Sequence, residues 1–298
     1  MTYPDEQQTR LDIVEVGRRL WVQGFVASND GNISVRLGDD RLLMTPRSVC
    51  KGFMTPDMMC ITDLDGRKLQ GDRDPSSEML MHLEVYRQRP DARAVCHAHP
   101  PIATGFAVAG IPLDRAVLAE VLTTLGSIPI AEYATPSTSE LPEAVRKYVK
   151  AHDGMLLANH GALTLGSDVL SAYYKLETIE HFAKISLVAR MLGRENLIAR
   201  DEVDRLQGLR SNYGIKAPAP ICPDPTVLGD LLSSPDQMTC QVVQAPEGDG
   251  RSRLVPDPIV PGQTPPSARA AEPDGDEEIR LTYRELSALI EDAIRSLR

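Results

Sequence analysis

Paired cysteine spacing, long apolar runs and excess positive charge are all missing from this 298-residue sequence. Its five cysteines are odd in number and show no paired spacing, which argues against a disulfide framework and favours a reducing compartment. No run approaches the roughly 20 apolar residues of a membrane span, and we see no signal peptide at the N-terminus. A net charge of -10 argues against binding to duplex nucleic acid but allows phosphorylated small molecules. We therefore expect a soluble, cytoplasmic protein.

The sequence does contain an ordinary globular composition, with 42% hydrophobic and 25% charged residues, and a concentration of histidine. Residues 95–100 predict a short β-strand, on which side chains two residues apart share a face. His97 and His99 would therefore project together and could share a transition metal. His160 follows the apolar run 155–158 and adds a third imidazole at the end of another strand. Taken singly, each histidine is more often a hydrogen-bonded core residue.

Two turn-like segments carry groups that can bind an anion. Gly31 and Asn32 lie between a predicted helix over 6–24 and a predicted strand over 33–37, where backbone N–H groups and an amide can approach a ligand. Ser76 and Ser77 suit a helix N-terminus, and Glu78 adds a carboxylate to the first turn. A plain turn, helix capping and a favourable helix dipole are the alternative explanations. The pattern further predicts helices over 116–125, 141–151 and 168–192 and a strand over 128–133.

An ordered set of short motifs gives the chain a family resemblance. The motifs are Gly31-Asn32-Ile33-Ser34, Met44-Thr45-Pro46, Pro75-Ser76-Ser77-Glu78, His97-Ala98-His99, Tyr133-Ala134-Thr135, Asn159-His160-Gly161 and Tyr213-Gly214. Their order and spacing resemble the class II, zinc-dependent aldolase and adducin family, closest to its L-fuculose-phosphate aldolases, from about residue 8 to 216. The resemblance implies an α/β protein of three layers, with a central mixed β-sheet flanked by helices.

The resemblance also implies the roles of particular residues. One Zn²⁺ per subunit would be held by Glu78, His97, His99 and His160. A substrate phosphate would be held by Gly31, Asn32, Arg47, Ser48, Ser76 and Ser77. Glu78 would also move a proton, Tyr133 would serve the aldehyde oxygen, and Tyr213 would enter the site from a neighbouring subunit of a homotetramer. The implied reaction is cleavage of L-fuculose 1-phosphate or L-rhamnulose 1-phosphate to dihydroxyacetone phosphate and L-lactaldehyde.

The chain also departs from the family pattern in two loops. Arg47 and Ser48 replace a usual Thr-Gly or Ser-Gly pair, and Ser137 lies where a glycine is common. Other reactions of the family stay open, namely pentulose-5-phosphate 4-epimerisation and sugar-phosphate dehydration or decarboxylation. Epimerases usually have an aspartate at the place of Glu78. A non-catalytic, adducin-like binding domain is the alternative of another class, and the presence of the three histidines and Glu78 argues against it.

The C-terminal third changes in character. Residues 1–216 would form the catalytic domain, whereas residues 217–276 are rich in proline and predict a disordered linker. Residues 277–298 predict an amphipathic helix, with a capping box at Thr282 and Glu285. Its apolar stripe contains Leu286, Leu289, Ile290, Ala293, Ile294 and Leu297. This arrangement resembles the encapsulation peptides that recruit enzymes into bacterial microcompartments, which implies a shell protein as partner; docking on the chain's own domain is the alternative.

Overall fold

A computed structural model describes residues 3–213, residues 215 and 221, and two short segments at 240–243 and 253–256. The predicted helix at 277–298 and most of the predicted linker lie outside the described residues. Within the described part of the chain, no helix is both long and apolar enough to cross a membrane.

The centre of the fold is one eight-stranded mixed sheet. Its strands are β1 (Asn32–Gly38), β2 (Arg41–Met44), β3 (Cys60–Thr62), β4 (Lys68–Gln70), β5 (Ala94–Ala98), β6 (Ile130–Ala131), β7 (Gly154–Leu157) and β8 (Gly161–Gly166). Their spatial order is β4-β3-β2-β1-β5-β8-β7-β6. Every neighbouring pair is antiparallel except β6 and β7, which are parallel. Strand β5 therefore lies in the middle of the sheet, between β1 and β8.

Helices cover both faces of this sheet. They are α1 (Glu6–Val22), α2 (Met79–Gln88), α3 (Pro101–Val108), α4 (Ala119–Thr124), α5 (Glu140–Val149), α6 (Val169–Met191) and α7 (Arg200–Leu209), with 3₁₀ turns at Lys51–Phe53, Pro56–Met58 and Arg210–Tyr213. One apolar core joins the sheet to α1, α3, α4 and α6, and a second joins its other face to α2 and α5. The predicted three-layer α/β fold is confirmed.

Alternation along β5 connects these two cores. Ala94, Cys96 and Ala98 belong to the core under α1 and α6, whereas Val95 belongs to the core under α2 and α5. Because successive strand residues point to opposite faces, His97 shares the face of Val95. The strand is buried throughout, so any polar side chain on it requires a partner inside the protein.

The ends of α1 and α6 follow local sequence signals, whereas α4 and β6 are shorter than the sequence predicts. Asp5 caps α1 by accepting the Gln8 N–H, Asp168 caps α6 by accepting the Ser171 N–H, and Gly193 follows α6 with φ +103°. The predicted helix over 116–125 is shorter, since Leu118 is extended and α4 begins at Ala119. The predicted strand over 128–133 is reduced to β6, which pairs only with β7 at the edge of the sheet.

The structure describes two strands inside the predicted linker. They are β9 (Cys240–Val243) and β10 (Arg253–Pro256), which pair antiparallel in register from Cys240 opposite Pro256 to Val243 opposite Arg253.

Candidate metal centre

Two neighbouring strands bring the three histidines of the motifs together. His97 lies on β5, and His99 follows the end of that strand. Strand β8 pairs with β5, with Ala98 opposite Ala162, so the turn that leads into β8 lies beside the end of β5. His160 lies in this turn, after Asn159 in a left-handed conformation with φ 55°. The antiparallel pairing of β5 with β8 therefore brings together two motifs that are more than 60 residues apart in the sequence.

The three imidazoles present their Nε2 atoms to one another. The Nε2 atoms of His97 and His99 are 3.2 Å apart, and the candidate ligand atoms of His97, His99 and His160 all lie within 4.8 Å of one another. The His97 Nδ1–H donates to the Ala162 carbonyl at 2.9 Å, and the His99 Nδ1–H donates to Asp30 Oδ2 at 3.2 Å. Histidines that ligate a metal are anchored in this way through their second nitrogen.

The protonation states also suit a metal ion. Burial lowers the pKa of His97 well below its usual value, and it lowers the pKa of His99 as well. Both rings are therefore neutral at pH 7, which is the form that binds a metal. Lone pairs that face one another in a buried space repel, and a cation among them removes that repulsion. These residues fit a divalent metal ion.

Glu78 completes the cluster from the other side. It lies at the N-cap of α2 rather than inside the first turn, and its Oε2 and Oε1 are 3.3 Å and 3.0 Å from the Nε2 atoms of His97 and His160. Burial raises the pKa of Glu78, but His97, His160 and the Asn32 amide outweigh burial and hold that pKa well below its usual range. Glu78 is therefore a carboxylate at neutral pH.

A buried chain of hydrogen bonds orients this carboxylate. The Asn32 amide nitrogen donates to Glu78 Oε2 at 2.7 Å, so the Asn32 carbonyl oxygen faces His82 and accepts from its Nε2. The other ring nitrogen of His82 then accepts from the Ser34 hydroxyl at 2.7 Å, and Ser34 in turn accepts from the Tyr86 hydroxyl at 2.9 Å. Burial lowers the pKa of His82 to about 4, so the ring stays neutral. All four supporting side chains are buried.

Two glycines make the close packing at this centre possible. Gly31 has φ +71°, and a Cβ there would lie 2.9 Å from the His97 carbonyl oxygen. A Cβ at Gly161 would lie 2.6 Å from both the Ala98 carbonyl oxygen and the His99 ring. Any side chain at either position would displace the strand that carries the histidines. The structure thus gives both glycines a packing role.

A cavity of about 500 Å³ opens beside the cluster. Of the residues predicted for the site, those that line it are Gly31, Asn32, Arg47, Ser48, Ser76, Ser77, Glu78, His99 and His160. His97 lies beneath, with no exposed surface. Ser48 and Ser137, the two departures from the family's glycines, both have positive φ, at 57° and 66°. The backbone conformation that favours glycine is therefore present at both positions without the glycine.

The two predicted tyrosines follow β6 and α7 in the chain. Tyr133 follows β6, is 63% exposed, and is not among the described residues that line the cavity. Tyr213 ends the 3₁₀ turn after α7, at the limit of the continuous described segment. Their proposed roles in the reaction remain predictions.

Sequence reasoning missed three residues of this region. Asp30 anchors His99, and its position inside the loop before Asn32 was the available signal. His82 lies four residues after Glu78, hence on the same helix face, and this spacing is the signal that could have identified it. Lys51 lines the cavity although the sequence gives no sign of it, because a loop lysine is ordinarily solvated.

Comparison with known proteins shows the family to which the chain belongs. Residues 11–187 match the family described as Class II Aldolase and Adducin N-terminal domain. The match covers more than half of the chain, and the chain belongs to this family. With relatives named as aldolases, membership makes it an enzyme of the lyase class.

Individual relatives differ in the reactions for which they are named. The chain is 32% identical over 209 residues to the 5-deoxy-D-ribulose 1-phosphate aldolase of Bacillus thuringiensis, covering 70% of this chain and 98% of that one. It is 29% identical over 187 residues to the 3-oxo-tetronate 4-phosphate decarboxylase of Pectobacterium atrosepticum, covering 61% and 85%. A solved L-fuculose 1-phosphate aldolase superposes with a TM-score of 0.64 at 28% identity, covering 69% and 97%.

Proposed function

We propose that this protein cleaves a carbon–carbon bond of a phosphorylated ketose by a retro-aldol reaction that depends on a divalent metal ion, zinc in the first instance. The observation that carries the proposal is the convergence of the three imidazoles and Glu78, with two of the rings anchored through Nδ1. His97, His99 and His160 would hold the ion, together with Glu78 at rest. The proposed substrate is L-fuculose 1-phosphate or L-rhamnulose 1-phosphate, and the products are dihydroxyacetone phosphate and L-lactaldehyde.

The residues around the ion divide the chemistry between them. Retro-aldol cleavage leaves the bonding electron pair on the carbon next to the ketone, so the developing negative charge is the main energetic problem. A divalent ion supplies Lewis acidity, which stabilises such charge by several kcal/mol. Glu78 transfers the proton that this carbon takes up. The Asn32 amide holds the Glu78 carboxylate in its orientation. Tyr133 would serve the oxygen that becomes the aldehyde, and Tyr213 would enter the site from a neighbouring subunit of a tetramer.

The phosphate end of the substrate occupies the opposite part of the cavity. The Gly31–Asn32 loop, Arg47 with Ser48, and the serines before α2 approach this space from three segments. The Ser76 hydroxyl accepts the Glu78 N–H at 3.3 Å, so Ser76 stabilises the turn that leads into α2. Backbone N–H groups at a helix N-terminus and a guanidinium are typical ligands of a phosphate.

Decarboxylation of a phosphorylated 3-oxo acid is the second candidate, because the Pectobacterium relative is named for it. That reaction leaves the same electron pair on carbon, with carbon dioxide rather than an aldehyde as the departing group. The same metal centre and Glu78 would serve both reactions. Analysis of the products therefore separates the two candidates: an aldehyde supports the first, and carbon dioxide supports the second.

The test of the proposal is Glu78→Gln, assayed for cleavage of both ketose 1-phosphates and for bound metal. We expect kcat to fall by about 100-fold or more, the range of general acid–base catalysis. Metal content should stay close to that of the wild type because the three imidazoles remain. Glu84→Gln is a matched control, since Glu84 is a buried carboxylate on the same helix that pairs with Arg146 outside the cavity. It should keep full kcat. Full activity of the wild type without a bound metal would refute the proposal.

The C-terminal segment would determine where in the cell the enzyme is located. We propose that residues 217–276 are a tether and that the amphipathic stripe within 277–298 binds a microcompartment shell protein. The support is the sequence pattern alone, since residues 277–298 and most of residues 217–276 lie outside the described part of the chain. Deletion of 277–298 should abolish association with the compartment and leave kcat unchanged. Association that persists after the deletion would contradict this assignment.

A further inference from the structure

We propose that Lys51 is an anion-binding residue of this site, whose ammonium group serves as the buried counter-ion of the substrate's phosphate. The inference rests on the proposed function only in taking the ligand to be phosphorylated. It adds a cationic contact at a position that none of the motifs includes.

Lys51 joins the two loops that border the phosphate end of the cavity. Its Nζ donates to the Asn29 carbonyl oxygen at 3.0 Å and to the Val49 carbonyl oxygen at 2.8 Å. Asn29 lies in the loop that leads to Asn32, and Val49 follows the Arg47–Ser48 pair. The ammonium group therefore lies between the two segments from which the phosphate ligands come. An ammonium has three protons, and these two bonds leave one of them for a ligand.

The charge of Lys51 lacks a partner in the described part of the chain. The side chain is only 2% exposed, yet no carboxylate of a described residue forms an ion pair with it. Lys175 shows the contrast: it is also largely buried, but its Nζ pairs with Asp153 at 2.5 Å. Buried charges in proteins are ordinarily paired, because desolvation without compensation is costly. An unpaired ammonium in a cavity wall indicates an anionic ligand.

The surroundings keep this group charged under ordinary conditions. Burial lowers the pKa of Lys51 to about 8, against the opposing influence of Cys50, Asp30 and Glu78. Most Lys51 side chains are therefore protonated at pH 7. Arg47, on the outer side of the same loop, is exposed and lines the same cavity. A phosphate group there would meet one buried and one solvent-exposed cation.

The experiment measures binding of inorganic phosphate to the full-length, metal-loaded protein at pH 7, at constant ionic strength, by calorimetry and by thermal unfolding. Lys51→Met and Lys51→Gln both remove the charge, and glutamine keeps amide donors for the two carbonyl oxygens. We expect phosphate to bind the two variants at least tenfold more weakly and to raise their Tm less. Without phosphate, the Tm of Lys51→Gln should equal or exceed that of the wild type, since the unpaired charge is gone while the two carbonyl oxygens keep donors. Lys175→Met is the control: it should lose stability but bind phosphate normally.

Wild-type phosphate affinity in either folded variant would overturn the proposal and leave Lys51 as a structural link between two loops. The measurement involves no turnover, so it tests the role of Lys51 separately from the proposed cleavage reaction. The role of Lys51 could be refuted while the cleavage reaction is confirmed, and it could be confirmed if the protein cleaves a different phosphorylated substrate. In a cleavage assay, the same variants should raise KM for the phosphorylated ketose more than they lower kcat.

Discussion

Replacing His82 with leucine tests whether the buried hydrogen-bond chain positions Glu78. His82 is fully buried behind Asn32 and is not among the described residues that line the cavity. Its ring links the Asn32 carbonyl to the Ser34 hydroxyl. Leucine fills a similar volume but removes both hydrogen bonds. The amide of Asn32 then loses the partner that fixes which of its ends faces Glu78.

The structure sets the expected size of this effect. A buried polar group without a partner costs about 1–3 kcal/mol, and Ser34 retains Tyr86. We therefore expect the free energy of unfolding to fall by about 2 kcal/mol and Tm by roughly 4–8 °C. A hydrogen bond to a charged group contributes about 1.5–3 kcal/mol. If Glu78 loses the oriented Asn32 donor in the transition state, kcat should fall by about 10- to 100-fold.

The assay combines steady-state kinetics, metal analysis and thermal unfolding of His82→Leu and His82→Gln. Glutamine returns a donor toward the Asn32 carbonyl and should recover much of the lost kcat, which a purely structural role would not require. KM and metal content should change little in either variant. A folded His82→Leu protein with wild-type kcat would refute the positioning role, and a loss of kcat that merely follows loss of metal would refute it equally.

Four further predictions concern the surroundings of the proposed metal and phosphate sites. Gly161→Ala should reduce metal affinity by at least tenfold in a competition assay with a chelator, because the added methyl group meets the His99 ring; unchanged affinity would show that the turn can move. Asp30→Asn should lower metal affinity by about 10- to 100-fold, as expected for loss of a carboxylate that anchors a ligand, and an unaltered chelator titration would contradict this. Phosphate affinity should fall as the pH rises through about 8, the pKa at which folded Lys51 loses its proton, and Lys51→Gln should lack this step. Because that pKa lies below the ordinary lysine value of 10.5, the destabilising charge disappears above pH 8, so the contribution of Lys51 to folding stability should rise between pH 8 and 10.5.

Much of the fold followed from local signals. The helix caps at Asp5 and Asp168, the glycine after α6 and the alternation of β5 are short-range features, since each depends on residues a few positions apart. The extents of α4 and β6 were not predictable in the same way. They depend on where the sheet ends and on which neighbours a segment finds there.

The residues of the candidate centre were also visible in the sequence, whereas the groups that hold them in place were not. Histidines at alternating strand positions and a serine pair before a glutamate are recognisable motifs. The anchors of the two rings, by contrast, are an Asp30 carboxylate and an Ala162 carbonyl oxygen, which have no characteristic spacing from their histidines. Lys51 shows the same limit, because burial alone distinguishes it from a surface lysine.

By itself, the sequence determined the family, the elements of the three-layer fold and the residue types gathered for chemistry, because periodicity, capping and motif order are properties of nearby residues. The tertiary structure decided which nitrogen of His97 and of His99 is free, how Glu78 is held, and that Lys51 is buried without a carboxylate partner among the described residues. Most of these properties depend on contacts between residues that are distant in the sequence, such as the one between Asn32 and His82. Only the folded sheet brings such residues within hydrogen-bonding distance.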